Sequence, residues 1–535
     1  MGLFRNLKGD IYGGVTAAVV ALPLALAFGV ASGAGPLAGL WGAILVGFFA
    51  SAFGGTSSQV SGPTGPMTVV MTAVLMQYSD QPLIAFSVVV MGGALQIVFG
   101  LLRLGSLISL VPYTVISGFM SGIGCIIILL QLSALVGLGG VEGGTVGVLM
   151  ALPDIVKNAQ LDASLAGFLS LALMIFWPAK LSKILPAPLL ALIIGTGAVF
   201  FFWQDAPVIG TIPTGFPDFH LPEISYVLLK DMLGSALILA LLGAIDSLLT
   251  SLIADSMSST AHHSNKELIG QGIGNMVAGV FGAIPGAGAT MRTVINIRAG
   301  GVTRLSGMIH SLVLLGIVLG FGSLAEKIPH AVLAGILLKV GWDIIDWDYL
   351  KLIRRAPKKG VIHMFLVLIL TVFVDLIIAV GTGLVVASLS FVKHMSDLQV
   401  KGVRTLESAN GRFSDEEADA WRQLSPVLVL YHLEGPMSFG AAKGIFNRLI
   451  DYGEAEMVLF DFSGVTYVDT TACLTFRDTL LAAKDRGKRV YVCGVEDPVQ
   501  KAFAGLKVLN TVSEHDIFIN RQQALQHLQG NSIPV

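Results

Sequence analysis

Charge is what this chain has least of. Only 13% of its 535 residues are Asp, Glu, Lys or Arg, against roughly 25% in an ordinary soluble domain. Water is therefore not the solvent for much of its surface. Net charge is missing too: 33 basic against 35 acidic residues leave −2, which argues against a nucleic-acid or polyanion partner. Cysteine is nearly absent. Cys125, Cys473 and Cys493 show no metal-binding spacing and read as reduced packing residues. No catalytic constellation and no cofactor motif is recognisable, so an enzyme is not expected. No small-residue cleavage site follows the first apolar run, which reads as an uncleaved span rather than a signal peptide.

What is present is apolar: 54% of the residues are hydrophobic. Runs of about 20 such residues, enough to cross a bilayer, recur over residues 13–392. The expectation is an α-helical polytopic transmembrane domain over 1–393. Beyond it the composition changes. "VLVLYHL", "MVLFDF" and "RVYVCGV" read as buried strands separated by helical stretches, a small α/β domain over 425–535. Residues 394–424 read as an exposed, charged linker.

Basic residues orient the spans. Arg5, Lys8, Arg103, Lys180, Lys183, Lys266, Arg298, Arg304 and the cluster "KLIRRAPKK" fall in alternate connections. The intervening loops, 137–160 and 203–226, hold a single Lys157. The positive-inside rule puts the basic loops and both termini in the cytoplasm of a multi-pass plasma-membrane protein, with about fourteen segments. Seven segments over 11–203 then start inside, and seven over 225–392 start outside. Two such halves are inverted copies, an arrangement common in secondary transporters.

"SGPTGPMTVV" in the first half has its counterpart in "PGAGATMRTV" in the second. Both are helix-breaking stretches between apolar runs. Non-helical backbone at membrane depth is tolerated only where protein buries it or a watery cavity solvates it. Pro66 suits a first helical turn, because its missing N–H has no intrahelical acceptor there. Residues 61–65 therefore read as extended chain and 66–76 as a half-helix, and 286–288 with 289–300 do the same from the other side. Two half-helix N-termini then face each other near mid-membrane and form an anion site. A pair of proline kinks with packing roles only is the alternative.

Two charged residues stand out. Asp246 lies inside the apolar run "MLGSALILALLGAIDSLLTSLIADSM", where an unpartnered carboxylate costs at least ~3 kcal/mol. Thr250 shares its face one turn later. Hard oxygen ligands of this kind suit Na⁺ or a proton relay. Arg292 sits in the first turn of the second half-helix, placed to bind the anion or to neutralise Asp246. Asp255, His262 and His263 read as solvated.

The stretches "ALPLALAFGVASG", "GPTGPMT", "SNKELIGQGIGN" and "GATMRTVINIRAGG" together resemble the sulfate-permease (SulP/SLC26) anion transporters. "VLFDFSGVTYVDTTACLTF" resembles their STAS domain. The resemblance is strongest to the family's sodium-dependent bicarbonate transporters. It implies a 7+7 inverted repeat with two half-helices and a cytoplasmic α/β STAS domain through which homodimers form. It further implies Na⁺ held by Asp246, Thr250, Gly288 and Thr290, and substrate contacts at Met67, Thr68, Ala289, Thr290 and Arg292. Thr470 matches a region phosphorylated in related anti-sigma antagonists. An arginine at position 292 is also found in relatives that carry sulfate or dicarboxylates. Sulfate coupled to H⁺ or Na⁺ is therefore the alternative to bicarbonate, and an anion receptor signalling through STAS is a further one.

Overall fold

The computed structural model describes residues 6–108, 111–141, 143–178, 181, 185–210, 217–223, 225, 227–374, 376–405 and 413–532. Arg5, Lys180 and Lys183, which helped set the orientation above, lie outside the described residues. The chain divides into two compact units, Met1–Leu384 and Val385–Val535.

The first half of the membrane unit runs α1 (Leu7–Ser32), α2 (Pro36–Phe53), β1 (Ser61–Gly62), α3 (Gly65–Gln77), α4 (Pro82–Leu101), α5 (Gly105–Ile108), α6 (Tyr113–Leu135), α7 (Gly144–Lys157), α8 (Leu161–Phe176) and α9 (Ala187–Phe202). The second runs α10 (Leu229–Ser258), α11 (Ser264–Val280), β2 (Ala287–Gly288), α12 (Thr290–Arg298), α13 (Arg304–Ala325), α14 (His330–Ile344), α15 (Trp347–Leu352), α16 (Lys358–Phe373) and α17 (Leu376–Lys401). Among the described residues, α1, α2, α4, α6 and α10 are individually long and apolar enough to cross a bilayer. α7 and α8 meet at a 117° bend. Large apolar side chains such as Phe168, Phe176, Ile193, Phe202 and Leu312 point outward, as a lipid-facing surface requires.

Packing partners exchange when the two halves are swapped. α1 packs on α13 as α10 packs on α4, and α2 packs on α13 as α11 packs on α4. α6 packs on α16 as α14 packs on α8. The helices thus fall into one group built from α1–α4 and α10–α13 and another built from α6, α8, α9, α14 and α16. This is the inverted-repeat arrangement expected from the sequence.

The second unit is a five-stranded sheet in the order β3 (Val403–Thr405), β4 (Leu428–Glu434), β5 (Met457–Gly464), β6 (Arg489–Cys493) and β7 (Ile517–Phe518). Neighbours are parallel except β3, which runs antiparallel to β4. Helices α18 (Asp415–Leu424), α19 (Ala442–Leu449), α20 (Thr470–Asp485), α21 (Asp497–Gly505) and α22 (Arg521–Ser532) pack around it. Phe462, Phe476 and Phe503 form an edge-to-face trio with centroids 5.1–6.0 Å apart in its core.

The linker expected over 394–424 is corrected here. α17 runs unbroken to Lys401, and the next residues form the edge strand β3. Arg448 donates to the Val400 and Val403 carbonyls at 3.1 and 2.6 Å. Trp421 and Leu424 of α18 are buried against α22. Counting charges hid this, because α18 is amphipathic and carries its buried Trp421 and Leu424 among exposed charges such as Glu416, Asp419 and Arg422, while Glu417 is buried in an ion pair with Arg521. Thr470 is exposed in the first turn of α20, whose N-cap Asp469 accepts from the Ala472 amide at 2.8 Å.

Candidate anion and cation site

The two helix-breaking stretches meet. β1 and β2 pair antiparallel, Ser61 opposite Gly288 and Gly62 opposite Ala287, so the helices that follow leave in opposite directions. Glycine is demanded at this crossing. Gly62 has φ +150°, and a Cβ there would approach Arg292 Nη1 to 2.6 Å. A Cβ on Gly288 would run into the Gln59 side chain and lie 3.0 Å from Ser247 Cα.

α3 starts after Thr64, with Pro66 in its first turn, and the first closing bond is Thr68 N–H to Thr64 O at 2.9 Å. The amides of Gly65 and Met67 therefore have no acceptor within the helix. In α12 the first closing bond is Thr293 N–H to Ala289 O at 2.9 Å, which leaves the amides of Thr290, Met291 and Arg292 without one. Ala289 departs from expectation. Its amide donates to Val60 O at 2.9 Å, extending the strand pairing, so that N–H is not available to a substrate. Met67 and Thr68 are buried, and the Thr68 hydroxyl donates to Thr64 O at 2.8 Å. That hydroxyl therefore meets any further partner as an acceptor.

Oxygens converge beside the α12 N-terminus. The Thr250 hydroxyl donates to Gly288 O at 2.9 Å and lies 2.8 Å from the Thr290 hydroxyl. Ser247 Oγ accepts from the Gly288 amide at 3.0 Å and holds the β2 backbone against α10. Asp246 stands one turn before Thr250, near Thr64 and within electrostatic reach of Arg292. Among the described residues its Oδ2 has no hydrogen-bond partner. Asp246 is one of the residues lining a small cavity of about 20 Å³ between α3, α10 and α6, together with Pro66, Val115, Ile116, Phe119, Met120 and Leu242, among others. Thr290, like Met291 after it and unlike Ala289 before it, is exposed.

Arg292 does not reach solvent. It is 2% exposed, and its guanidinium donates to the Pro63 carbonyl in the opposite crossover segment. It makes no direct ion pair with Asp246, and Nη1 lacks a partner among the described residues. The side chain thus ties the two half-helices together from behind and supplies positive potential to the crossing.

The groups that hold this crossing came mainly from residues to which sequence reasoning gave no role. α11 carries Glu267, Gln271 and Asn275 at i, i+4 and i+8, one polar stripe on a buried helix. Glu267 accepts from the Gly55 and Thr56 amides at 2.8 and 2.9 Å, and from Gln59 and Gln271 Nε2 at 2.8 Å each. Gln271 also donates to Ser61 Oγ at 2.6 Å. Asn275 clamps Gly286 from both sides, donating to its O at 3.0 Å and accepting from its N–H at 2.8 Å. From α12, Thr293 accepts from Val60 N–H at 3.0 Å and Asn296 donates to Ser58 O at 2.9 Å. The four-residue spacing in "KELIGQGIGN" was the available signal. Asp255 and His262 are likewise not free: they pair at 2.6 Å, and Ser264 lies 3.0 Å from the other ring nitrogen.

Comparison with known proteins agrees with this geometry. The profile of the "Sulfate permease family" matches residues 7–369, and that of the "STAS domain" matches 422–524. The chain is 46% identical to the bicarbonate transporter BicA of Picosynechococcus sp., over 98% of this chain and 95% of that protein. It is 30% identical to the putative sulfate transporter YvdB of Bacillus subtilis, over 90% of each. Among solved structures, the transmembrane domain of a cyanobacterium bicarbonate transporter BicA superimposes with TM-score 0.68 at 52% identity, covering 71% of this chain and 98% of that one. SLC26A9, at 16% identity, shares the fold with TM-score 0.85 over 99% of this chain and 91% of its own. Paired half-helices, an inverted repeat and a C-terminal STAS domain all point one way: this chain belongs to the sulfate permease family, and it is a membrane transporter, not an enzyme.

Proposed function

We propose that the protein takes up bicarbonate together with Na⁺ across the plasma membrane. The observation that carries this reading is the cluster of the Thr250 hydroxyl, Gly288 carbonyl and Thr290 hydroxyl, one turn from the Asp246 carboxylate. These are hard, uncharged or singly charged oxygens, the donor set that suits an alkali cation. The same cation, with two helix N-termini, balances a monoanion. Similarity to bicarbonate transporters supports the substrate. So does Thr68, whose hydroxyl hydrogen is already committed to Thr64 O. It accepts the O–H of bicarbonate, whereas sulfate brings acceptors only.

In this reading Gly65 and Met67 from α3, with Thr290 from α12, donate to the anion, and Arg292 adds positive potential without touching it. The α1–α4/α10–α13 group carries the site past the other helices in elevator-like alternating access. The STAS unit lies in the cytoplasm and pairs two protomers, with exposed Thr470 available for phosphorylation. The second reading, a sulfate carrier coupled to H⁺ or Na⁺, draws on the unpartnered Nη1 of Arg292. Labelled-anion uptake into proteoliposomes, comparing bicarbonate, sulfate and fumarate with and without a Na⁺ gradient, tests both. Saturable, Na⁺-stimulated bicarbonate uptake is the expected result. Saturable sulfate uptake in its place moves the assignment to the second reading.

A further inference from the structure

A second cavity lies next to the one that Asp246 lines. It has a volume of about 450 Å³ and is lined by Tyr113, Ile116, Ser117 and Met120 of α6, by residues 343–346 where α14 ends, and by Trp347 and Asp348 of α15. Ile116 and Met120 line both cavities. One layer of two side chains therefore separates the Asp246 carboxylate from this outer chamber. Arg103 precedes α6 and the basic cluster of residues 351–359 follows, so the chamber lies at the end that the basic loops mark as cytoplasmic.

Its polar lining is one-sided. Asp343, Asp346 and Asp348 contribute carboxylates, and among the described residues no basic residue lines it. Lys339 pairs with Asp343, and Lys351 stands 3.6 Å from Asp348. Asp346 has no basic partner among the described residues. It accepts from the Tyr113 hydroxyl at 2.7 Å and the Tyr349 amide at 3.1 Å, which fix the carboxylate without neutralising it. A separate observation points to a ligand. Ser117 is 2% exposed and lines the chamber, and its hydroxyl has no hydrogen-bond partner among the described residues. A buried unpaired hydroxyl costs about 1–3 kcal/mol, and a hydrated cation in the chamber removes that cost.

We propose that this chamber is an outer station for the coupling cation, in which Asp346 and the Ser117 hydroxyl hold hydrated Na⁺ between the Asp246–Thr250 site and the cytoplasm. The inference rests on the Na⁺-coupled reading above. An uncompensated carboxylate at the mouth raises the local concentration of cations and lowers that of anions. Na⁺ and bicarbonate then leave the shared site along different walls: the cation passes Ile116 and Met120 toward Asp346, and the anion does not.

The test uses the full-length protein in membrane vesicles of both orientations, with radiolabelled Na⁺ exchange at constant ionic strength. Asp346→Asn keeps the N-cap of α15, since Asn caps as well as Asp, and Ser117→Ala removes one hydroxyl. Asp346→Asn should raise the half-saturating Na⁺ concentration on the cytoplasmic face about fivefold, as expected for one unit charge acting at several ångströms through a high effective dielectric. Ser117→Ala should shift it in the same direction by less. Half-saturation from the opposite face should stay at the wild-type value. If neither variant moves the cytoplasmic value while wild type remains Na⁺-driven, the outer station is overturned and the coupled reading stands. An equal shift on both faces also overturns it, because the two residues would then act on the Asp246 site itself. If wild type shows no Na⁺ dependence on either face, the coupled reading falls and the station with it. Should Asp346→Asn fail to insert, Ser117→Ala decides alone by the same criteria.

Discussion

Replacing Glu267 by glutamine changes one oxygen to an NH₂ group and leaves the volume of the site almost unaltered. The wild-type carboxylate accepts four N–H bonds, all of 2.8–2.9 Å, from Gly55, Thr56, Gln59 and Gln271. Oε2 serves the two backbone amides and Oε1 the two side chains. Glutamine keeps one acceptor, so one pair of donors meets another donor. Each lost bond to a charged acceptor is worth about 1.5–3 kcal/mol. The variant no longer buries a charge, which offsets part of this. A net loss of about 3 kcal/mol remains, roughly two orders of magnitude in the balance between a seated and a displaced crossover. The segment released is the one that leads into β1, so the α3 N-terminus loses its alignment with that of α12. The assay combines melting in detergent with Na⁺-driven bicarbonate uptake in proteoliposomes. Glu267→Gln should melt earlier and transport at a small fraction of the wild-type rate, with the shortfall in maximal rate rather than in Na⁺ half-saturation. Wild-type melting together with wild-type uptake would refute the idea that this carboxylate holds the crossing.

Asp246→Asn keeps size but removes the charge offered to the cation; uptake should fall to background at every Na⁺ concentration while the protein inserts and assembles normally. Arg292→Gly removes a guanidinium that anchors the Pro63 carbonyl and should lower the melting temperature, yet retain Na⁺-driven bicarbonate uptake. Complete loss of that uptake in a correctly inserted variant would place the arginine on the substrate. Truncation after Lys393 cuts inside α17 and removes Ser396 and Gln399, which bond to Gly440 and Ser438; the membrane unit should remain folded, and dimers should weaken on size exclusion. Acid should destabilise the STAS unit. Burial pushes the Asp461 carboxyl up, but His432 and Ser463 pull it below its ordinary 3.8. Burial likewise opposes Arg521 and Ser414 at Glu417, and they hold it below 4.5. Carboxylates lowered in the fold contribute stability that is complete above about pH 4.5 and is lost as the pH falls further, so a melting curve flat across that range would contradict the ion-pair network.

The parts of this molecule that sequence reveals are those written locally. "GPTGP" and "PGAG" announce breaks in apolar runs, Pro66 marks a first helical turn, and Asp246 with Thr250 shares a helical face. The partners of those residues are not local. Glu267 meets Gly55 and Gln59 across more than two hundred residues, and nothing in "SNKELIGQGIGN" says which backbone its stripe will grip. The Ala289 amide reads as a free helix-end donor until the Val60 carbonyl is seen beside it. Asp255 and His262 read as solvated loop residues because their pairing depends on how the chain turns between them. Composition misled at 394–424, where the many charges of α18 concealed the buried Trp421 and Leu424 set among them.

The two-residue ladder between β1 and β2 also dictates an order of assembly. Val60 and Thr293 are 233 residues apart in the chain, and at about 5–20 residues per second a ribosome needs roughly 10–50 s to travel between them. Throughout that interval the first crossover is inside the membrane with its backbone groups lacking the partners they will finally have. A half-made chain must shelter them with lipid-excluded water, a translocon wall or a chaperone. Either half expressed alone would keep that deficit permanently, and the two halves supplied as separate polypeptides would remove it only by finding each other in opposite orientations. An ancestral single repeat would have faced the same requirement, which favours a protein that inserted both ways up and worked as an antiparallel pair before the two copies were fused.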